Sequence, residues 1–261
     1  MTASDPPGLN LYAAGCANAE TLTGNVAIMV AGEPIAITVT VPVARVGLDA
    51  LLPIFHGFLQ AMTDKAAVRS SQAGAAISCR AGCGACCRQA VPIAASEARA
   101  LAAHVAAMPA PRRDAIVARF AEARQRLAAA GFGAVDFTET TPEQRFALAH
   151  AYFRIGVACP FLEDENCSIH PVRPLSCREY LVTSPASACA TLETGAITML
   201  DLGGSLSEAL IAGDMWMTGG HQLLLVEALD WVDANRQAPP LDNGAAMAQT
   251  VFGIFARLTG G

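Results

Sequence analysis

The chain has 261 residues, of which 53% are hydrophobic and 15% charged, and its formal net charge is −6 at pH 7. That length is enough for a hydrophobic core without disulfides, and the lack of a dense basic stripe argues against a nucleic-acid partner. No segment resembles a signal peptide or runs eighteen apolar residues without interruption, so we expect no membrane partner and a cytoplasmic location. In a reducing compartment, nine cysteines indicate metal ligands or catalytic thiols rather than disulfides.

The first predicted element is a β-hairpin over residues 25–41. Apolar side chains alternate with others along both arms, as expected for strands with one buried face, and "AGEP" at residues 31–34 supplies the turn. A helix is predicted next, over about residues 48–68, because Leu51, Phe55 and Phe58 begin an apolar stripe with helical spacing. The hairpin is therefore expected to pack on a helix.

Helical patterns occupy most of the remaining chain. Ser96 is predicted to cap a helix over residues 97–108, and Pro111 to begin another that Gly131 ends. The other predicted helices cover residues 142–156 after a capping box of Thr141 and Gln144, residues 209–217 after Ser205 and Glu208, residues 221–236, and residues 245–258.

These elements predict a mainly α fold with a small N-terminal β-hairpin (an α+β protein), organised as a single domain around a cysteine-ligated metal centre. Residues 1–70 are expected to form the hairpin and first helix, residues 71–195 the cysteine-cluster metal-binding core, and residues 196–261 the C-terminal helices packed on that core.

Eight of the nine cysteines belong to two clusters. The first run, "CRAGCGACC", contains Cys79, Cys83, Cys86 and Cys87; the second, "CPFLEDENCSIHPVRPLSCREY", contains Cys159, Cys167 and Cys177, and Cys189 follows it. Thiolate is a soft ligand that selects zinc, copper(I) or iron–sulfur centres, so we predict that all eight are metal ligands and meet in one place. Cys16 stands alone, and we expect it to bind no metal.

The adjacent cysteines Cys86 and Cys87 bear on the number of metal centres. Neighbouring side chains diverge, so the two rarely complete one compact site. One of them is therefore expected to serve a second metal, a bridge or a chemical role.

Charged and nitrogen-bearing residues accompany the thiols. Arginines stand beside cysteines at four positions, and they either neutralise and orient the sulfurs or pair with surface carboxylates such as Glu165. These residues are Arg80, Arg88, Arg173 and Arg178. His170 is either a nitrogen ligand or a ring packed before Pro171.

The two cysteine runs resemble the YkgJ-type cysteine-cluster proteins, whose shared domain is described as zinc- or iron-chelating. The common pattern is C-x3-C-x2-CC, then CPFL, then C-x-I-x-x-x-RP-x-x-CR, over roughly residues 79–180. The resemblance implies metal binding by the seven cysteines of the two runs, and its pattern also includes Arg173, Pro174 and Arg178. These proteins are distantly similar to the flagellin lysine N-methylases, from which only the cluster is carried over and not methyl transfer.

Two functions stay open from the sequence. One is a metalloprotein whose cluster holds an iron–sulfur centre or zinc, in a redox, sensing or structural role. We favour iron–sulfur, because charge and hydrogen bonds near such a cluster set its reduction potential. The other is a metal-dependent enzyme that modifies a protein or peptide side chain, for example by methyl transfer. A protein partner is also left open.

Two further classes of enzyme are disfavoured. Radical S-adenosylmethionine enzymes share C-x3-C-x2-C but need repeated β/α units, which the sequence does not predict after residue 87. A hydrolytic zinc enzyme needs a general base near the metal, and acidic residues in loops are usually just solvated. The candidates for that base are Glu163, Asp164, Glu165 and Glu179.

Overall fold

The computed structural model describes residues 10–12, 21–132, 141–192 and 195–260. Its helices are α1 (Leu52–Gln72), α2 (Ala95–Ala106), α3 (Ala110–Ala129), α4 (Pro142–Ile155), α5 (Leu175–Glu179), α6 (Leu206–Thr218), α7 (Ala228–Ala234) and α8 (Gly244–Leu258). Its strands are β1 (Asn10–Tyr12), β2 (Thr21–Val30), β3 (Glu33–Pro42), β4 (Arg45–Val46), β5 (Pro92–Ile93), β6 (Leu162–Glu163), β7 (Asn166–Cys167), β8 (Leu223–Leu224) and β9 (Asp242–Asn243). The prediction of a mainly α fold with an N-terminal hairpin is confirmed.

Contacts between Cα atoms group the chain into two compact units. The first contains the described residues of Met1–Gly74, Asp201–Gly220 and Gln237–Gly261. The second contains those of Ala75–Leu200 and His221–Arg236, and it carries all eight clustered cysteines.

The sheet of the first unit extends the predicted hairpin. Strands β2 and β3 pair in antiparallel register, with Val26 opposite Ile37, and β1 adds a third strand on the outer side of β2. The turn is confined to Ala31 and Gly32, whose φ angles of 49° and 78° fit the two-residue turn that matches strand twist. The strands are longer than predicted because pairing continues beyond the alternating apolar stretch.

Aromatic side chains form the core of the first unit. The rings of Phe55 and Phe58 on α1 meet Phe252 on α8, with centroids 5.4 and 5.0 Å apart, and Phe58 also meets Phe255 at 5.8 Å. The tilted, edge-on arrangement of these rings is the one that aromatic pairs prefer. The apolar stripe predicted for the first helix is therefore buried against α8 as well as the sheet.

Local capping signals position several helices as predicted. The hydroxyl of Thr141 accepts from the N–H of Gln144 at 3.3 Å, and the Gln144 side chain accepts from the N–H of Thr141 at 2.8 Å. Helix α4 then ends at Gly156, whose φ of 70° places it in the left-handed region. Ser205 caps α6 by accepting from the N–H of Glu208 at 3.2 Å.

Two helix predictions need correction. Ser96 does not cap α2; the N-cap is Ala94, and the carboxylate of Glu97 accepts from its N–H at 3.0 Å. The helix predicted over residues 221–236 is only the short α7, because the buried Leu223 pairs with Ile93 as strand before the helix begins. A run of consecutive apolar residues fits a buried strand as well as a buried helix. Here the pairing of β8 with the distant strand β5 makes the start of this segment a strand.

Strand pairing also tests the resemblance to radical S-adenosylmethionine enzymes. Within the described ranges, every pair of strands is antiparallel. The parallel β/α repeat that radical S-adenosylmethionine enzymes need is therefore missing from these residues. Among the helices of these same ranges, none combines the length and apolar character required to cross a bilayer.

Candidate metal centre

The first cysteine run is an irregular loop anchored at its beginning. The N–H of Ser78 donates to the carbonyl of Val182 at 2.9 Å, and its hydroxyl donates to the carbonyl of Ser184 at 2.5 Å. The N–H of Val182 in turn donates to the sulfur of Cys79 at 3.4 Å. These bonds hold the start of the first run beside the segment that follows the second.

Two glycines let the loop approach the β6–β7 hairpin. Gly82 has a φ of 77°, and its N–H donates to the side-chain oxygen of Asn166 at 2.8 Å. At Gly84, an added Cβ would lie 2.6 Å from Oε2 of Glu165 and 2.7 Å from a methyl of Leu162. Only a residue without a side chain fits there unless its neighbours shift.

A short 3-10 helix, Ala85–Arg88, carries the adjacent cysteines. The carbonyl of Cys87 accepts from the N–H of Cys159 at 2.7 Å, which joins the first run directly to the second. The guanidinium of Arg88 donates to both carboxylate oxygens of Glu165, at 2.6 and 3.0 Å, and to the carbonyl of Gly84 at 2.9 Å. Arg88 therefore fastens this helix to the hairpin turn.

The second run positions its thiols with the β6–β7 hairpin and α5. Asp164 and Glu165 form the turn with positive φ angles of 48° and 59°, and Cys167 pairs with Leu162 across the hairpin. Helix α5, which follows Pro174, carries Cys177.

A buried carboxylate fixes the start of α5. Glu97 is 2% exposed; one of its oxygens accepts from the N–H of Leu175 at 2.8 Å and the other from the N–H of Ala94 at 3.0 Å. The hydroxyl of Ser176 adds a 2.6 Å bond to the carbonyl of Pro92. Cys177 is thus held against the beginning of α2.

Seven of the eight predicted ligands line one cavity of about 530 Å³ in the second unit. They are Cys79, Cys83, Cys86, Cys87, Cys167, Cys177 and Cys189. Cys159 lies next to Cys87 and packs with Cys167 and Cys177 on the apolar core around Phe120 and Phe161. Cys16 lies outside the described residues. The two runs therefore meet, although they are separated by three helices.

Residues 78–194 match the model of the CxxCxxCC family, described as a "putative zinc- or iron-chelating domain". Residues 78–194, the CxxCxxCC segment, are therefore similar to that family. The match spans less than half of the chain and confirms the YkgJ-type resemblance. Comparisons with curated proteins and with solved structures gave no match.

The thiols of the CxxCxxCC segment are arranged around the cavity rather than at one point. In the part of the chain that the structure describes, no group of three or more His, Cys, Asp or Glu side chains could hold a metal ion as it stands. The eight described cysteines are all free thiols. Ligation in the CxxCxxCC segment therefore requires the sulfurs to draw together around what they bind.

Burial raises the pKa of several of these thiols. It raises the pKa of Cys159 to about 12 and the pKa of Cys177 well above its ordinary value, and it also raises the pKa of Cys167. Cys86 shifts in the opposite direction: a hydrogen bond donated by the Cys87 thiol, together with the charge of Arg173, lowers its pKa to about 7. The same bond raises the pKa of Cys87. Several thiolates would need a cation among them to coexist here, and a bound metal provides that charge.

The four arginines of the CxxCxxCC segment have different roles. Arg80 and Arg173 line the cavity. Arg88 pairs with Glu165, and Arg178 donates to the backbone carbonyl of Arg173 at 3.0 Å and to that of Pro171. Among the described residues, the Nε of Arg173 is buried and has no hydrogen-bond partner. Arg173 thus offers a spare donor beside the sulfurs.

The structure also locates the histidine and the acidic residues considered from the sequence. His170 lines the cavity, and the charge of Arg173 lowers its pKa, which favours the neutral imidazole that a metal ligand requires. Glu163 forms ion pairs with Arg112 and Arg119 at 3.4 and 2.9 Å. Two of the acidic residues considered as a general base, Glu163 and Glu165, are therefore held in ion pairs.

Sequence reasoning missed three residues that support the site. Glu97 is one, and its position three residues after the N-cap of α2 was the available signal. The others are Gln89 and Tyr180: Gln89 donates to the Tyr180 oxygen at 3.0 Å, and the Tyr180 hydroxyl donates to the sulfur of Cys189. No local pattern relates these two positions, because they lie on different loops.

Proposed function

We propose that the CxxCxxCC segment is a thiolate metal centre that holds an iron–sulfur centre or zinc through its eight clustered cysteines. The observation that carries this proposal is the single cavity lined by seven of those thiols, with the eighth beside them. Sulfur donors select soft or borderline metals, so magnesium and calcium are disfavoured. The family's description as zinc- or iron-chelating supports the same choice.

The residues fit such a group in charge as well as in donor type. A four-thiolate zinc site carries a formal charge of about −2, which is costly to bury without compensation. Arg80 and Arg173 bring positive charge to the cavity, and the buried Nε of Arg173 is a donor available to sulfur. In the bound state, Arg173 would neutralise and orient thiolates, as residues around a metal centre commonly do.

Between the two metals, we favour iron–sulfur. The sulfurs line a cavity of about 530 Å³, which leaves room for a centre of several atoms. Arg173 acts on the thiols of Cys86 and Cys167, where a positive charge would raise the reduction potential of a bound cluster. Arg88 and Arg178 do not contribute to this argument, because their donors are used elsewhere.

The test is expression and purification without oxygen, followed by metal analysis, acid-labile sulfide analysis and Mössbauer spectroscopy. Iron with stoichiometric sulfide is the expected result. Zinc without sulfide, from oxygen-free cells and buffers, would reverse the choice of metal. Cys83→Ser should reduce bound metal, whereas Cys16→Ser serves as the matched control and should leave bound metal per chain unchanged. Equal losses from both variants would contradict the assignment of ligands.

The biological role we propose is redox, sensing or structural, in a reducing compartment such as the cytoplasm. The free state of the eight described thiols supports that compartment. An enzyme that modifies a protein or peptide side chain is the second candidate. It is favoured by the room beside the thiols, where His170 and Tyr180 share the cavity lining. Calorimetry with S-adenosylmethionine separates the two: tight binding would favour the methyl-transferring enzyme.

A further inference from the structure

The number of thiols in the CxxCxxCC segment raises the question of how they are shared. A zinc ion or an iron–sulfur cluster commonly takes four cysteines, and eight are gathered here. The inference below rests on the proposed function, because it concerns the division of ligands within that metal centre.

One group of thiols lies on the apolar core of the second unit. Cys159, Cys167 and Cys177 all pack on the cluster that contains Phe161. Cys87 joins them through the 2.7 Å bond between its carbonyl and the N–H of Cys159. The charges of Cys159 and Cys167 both act on Cys87 and on Cys177, which places these four thiols near one another. Cys86 also acts on Cys159, Cys167 and Cys177, so it lies at the edge of this group.

The remaining thiols form a second group on the loops. The sulfur of Cys79 accepts from the N–H of Val182, just ahead of the 3-10 helix Ala186–Ala190 that carries Cys189. That helix contacts the 3-10 helix that carries Cys86. The thiols that act on Cys189 are Cys79, Cys83 and Cys86.

We infer that the CxxCxxCC segment contains two adjacent four-thiolate sites rather than one. The inner site consists of Cys87, Cys159, Cys167 and Cys177. The outer site consists of Cys79, Cys83, Cys86 and Cys189. The adjacent cysteines are divided between them, which resolves the difficulty of fitting two neighbouring side chains into one compact site.

Contacts at the boundary make the two sites neighbours. The thiols of Cys86 and Cys87 hydrogen-bond to each other, so the sites meet at this pair. Arg173 acts on Cys86 of the outer site and on Cys167 of the inner one. Its positive charge therefore acts on both sets of thiolates, and among the described residues its buried Nε has no hydrogen-bond partner.

The experiment uses cobalt(II) as the probe, added without oxygen to the metal-free full-length chain. Absorption from thiolate-to-cobalt charge transfer reports the number of ions bound. Three double variants are compared: an outer pair, Cys79→Ala with Cys189→Ala; an inner pair, Cys159→Ala with Cys177→Ala; and a mixed pair, Cys79→Ala with Cys159→Ala. Alanine is chosen because the inner thiols pack on apolar side chains.

The wild-type chain should bind two cobalt ions, the outer-pair and inner-pair variants one each, and the mixed pair none tightly. A mixed pair that keeps one ion, or a wild-type chain that saturates at one, overturns the division into two sites. Should the inner-pair variant lose its helical circular dichroism signal, the single variants Cys177→Ala and Cys189→Ala carry the test. Each should then lose one ion of the two. A wild-type chain that binds neither cobalt nor zinc, and that carries no iron when purified without oxygen, would reject the metal proposal itself.

Discussion

Replacing Glu97 should weaken both the fold and the inner cysteine site. Its buried carboxylate is the common acceptor for the N–H of Ala94 at the start of α2 and the N–H of Leu175 at the start of α5. Glu97→Ala removes both acceptors and leaves two donors in a region where the side chain was only 2% exposed. Because α5 carries Cys177, its position depends on that carboxylate.

The expected magnitude follows from those two bonds. A hydrogen bond to a charged group contributes about 1.5–3 kcal/mol net, so Glu97→Ala should lower the free energy of unfolding by roughly 3–6 kcal/mol. Glu97→Gln keeps one acceptor oxygen and places an amide donor against the other N–H. Glu97→Gln should therefore lower the free energy of unfolding by about half as much, roughly 1.5–3 kcal/mol. Either is a large fraction of the stability of a typical protein.

Urea unfolding of the metal-loaded chain measures these losses, and hydrogen exchange over residues 175–179 shows whether α5 loosens. Glu122→Gln on the exposed face of α3 is the matched control and should change stability by less than about 0.5 kcal/mol. A cost for Glu97→Ala below about 1 kcal/mol, or equal costs for the alanine and glutamine variants, would refute the argument from two buried bonds.

Three other perturbations test the site. Gly84→Ala should lower the free energy of unfolding in urea by about 1–3 kcal/mol, because the added Cβ would clash with Leu162. The control is Gly57→Ala in α1, where an added Cβ meets nothing within 4 Å, and it should be neutral or stabilising. Raising the pH above 9.0 should destabilise the metal-free chain. Burial raises the pKa of Cys159 to about 12 in the folded state, so the thiol of the unfolded chain loses its proton first as the pH rises. A free energy of unfolding that stays constant up to pH 11 would contradict this. Chelation should lower the melting temperature and speed amide exchange first in residues 79–90 and 157–180; unchanged melting after verified metal loss would show that the core holds without the metal.

Local chemistry explains which parts of the fold the sequence could predict. The Thr141 and Ser205 caps were predictable because each depends on residues three positions apart. Alternating apolar side chains likewise predicted strands β2 and β3. The β5–β8 pair was not predictable, because it joins Ile93 to Leu223 across about half of the chain.

For the candidate site too, features set by neighbouring residues were predictable, and contacts with distant residues were not. Clustering of the cysteines indicated their chemistry, and the structure gathers seven around one cavity. Whether Arg88 faced the sulfurs or paired with Glu165 depended on how a distant hairpin docks, and the same holds for Glu97 and α5. Ligation by each of the eight cysteines and by His170 stays a prediction, as does the division of the chain at residues 70 and 195.

The order of the cysteines along the chain has a consequence for biosynthesis. Helices α2, α3 and α4 separate the two runs, and about 110 residues lie between Cys79 and Cys189. At about 5–20 residues per second, a ribosome needs roughly 5–20 s to add them. During that interval, the four thiols of the first run are present before the set of eight is complete, exposed to oxidants and to stray metal. Under the proposed ligation by all eight cysteines, the centre can be completed only after translation passes residue 189, and a nascent chain that stalls earlier presents an incomplete set of ligands.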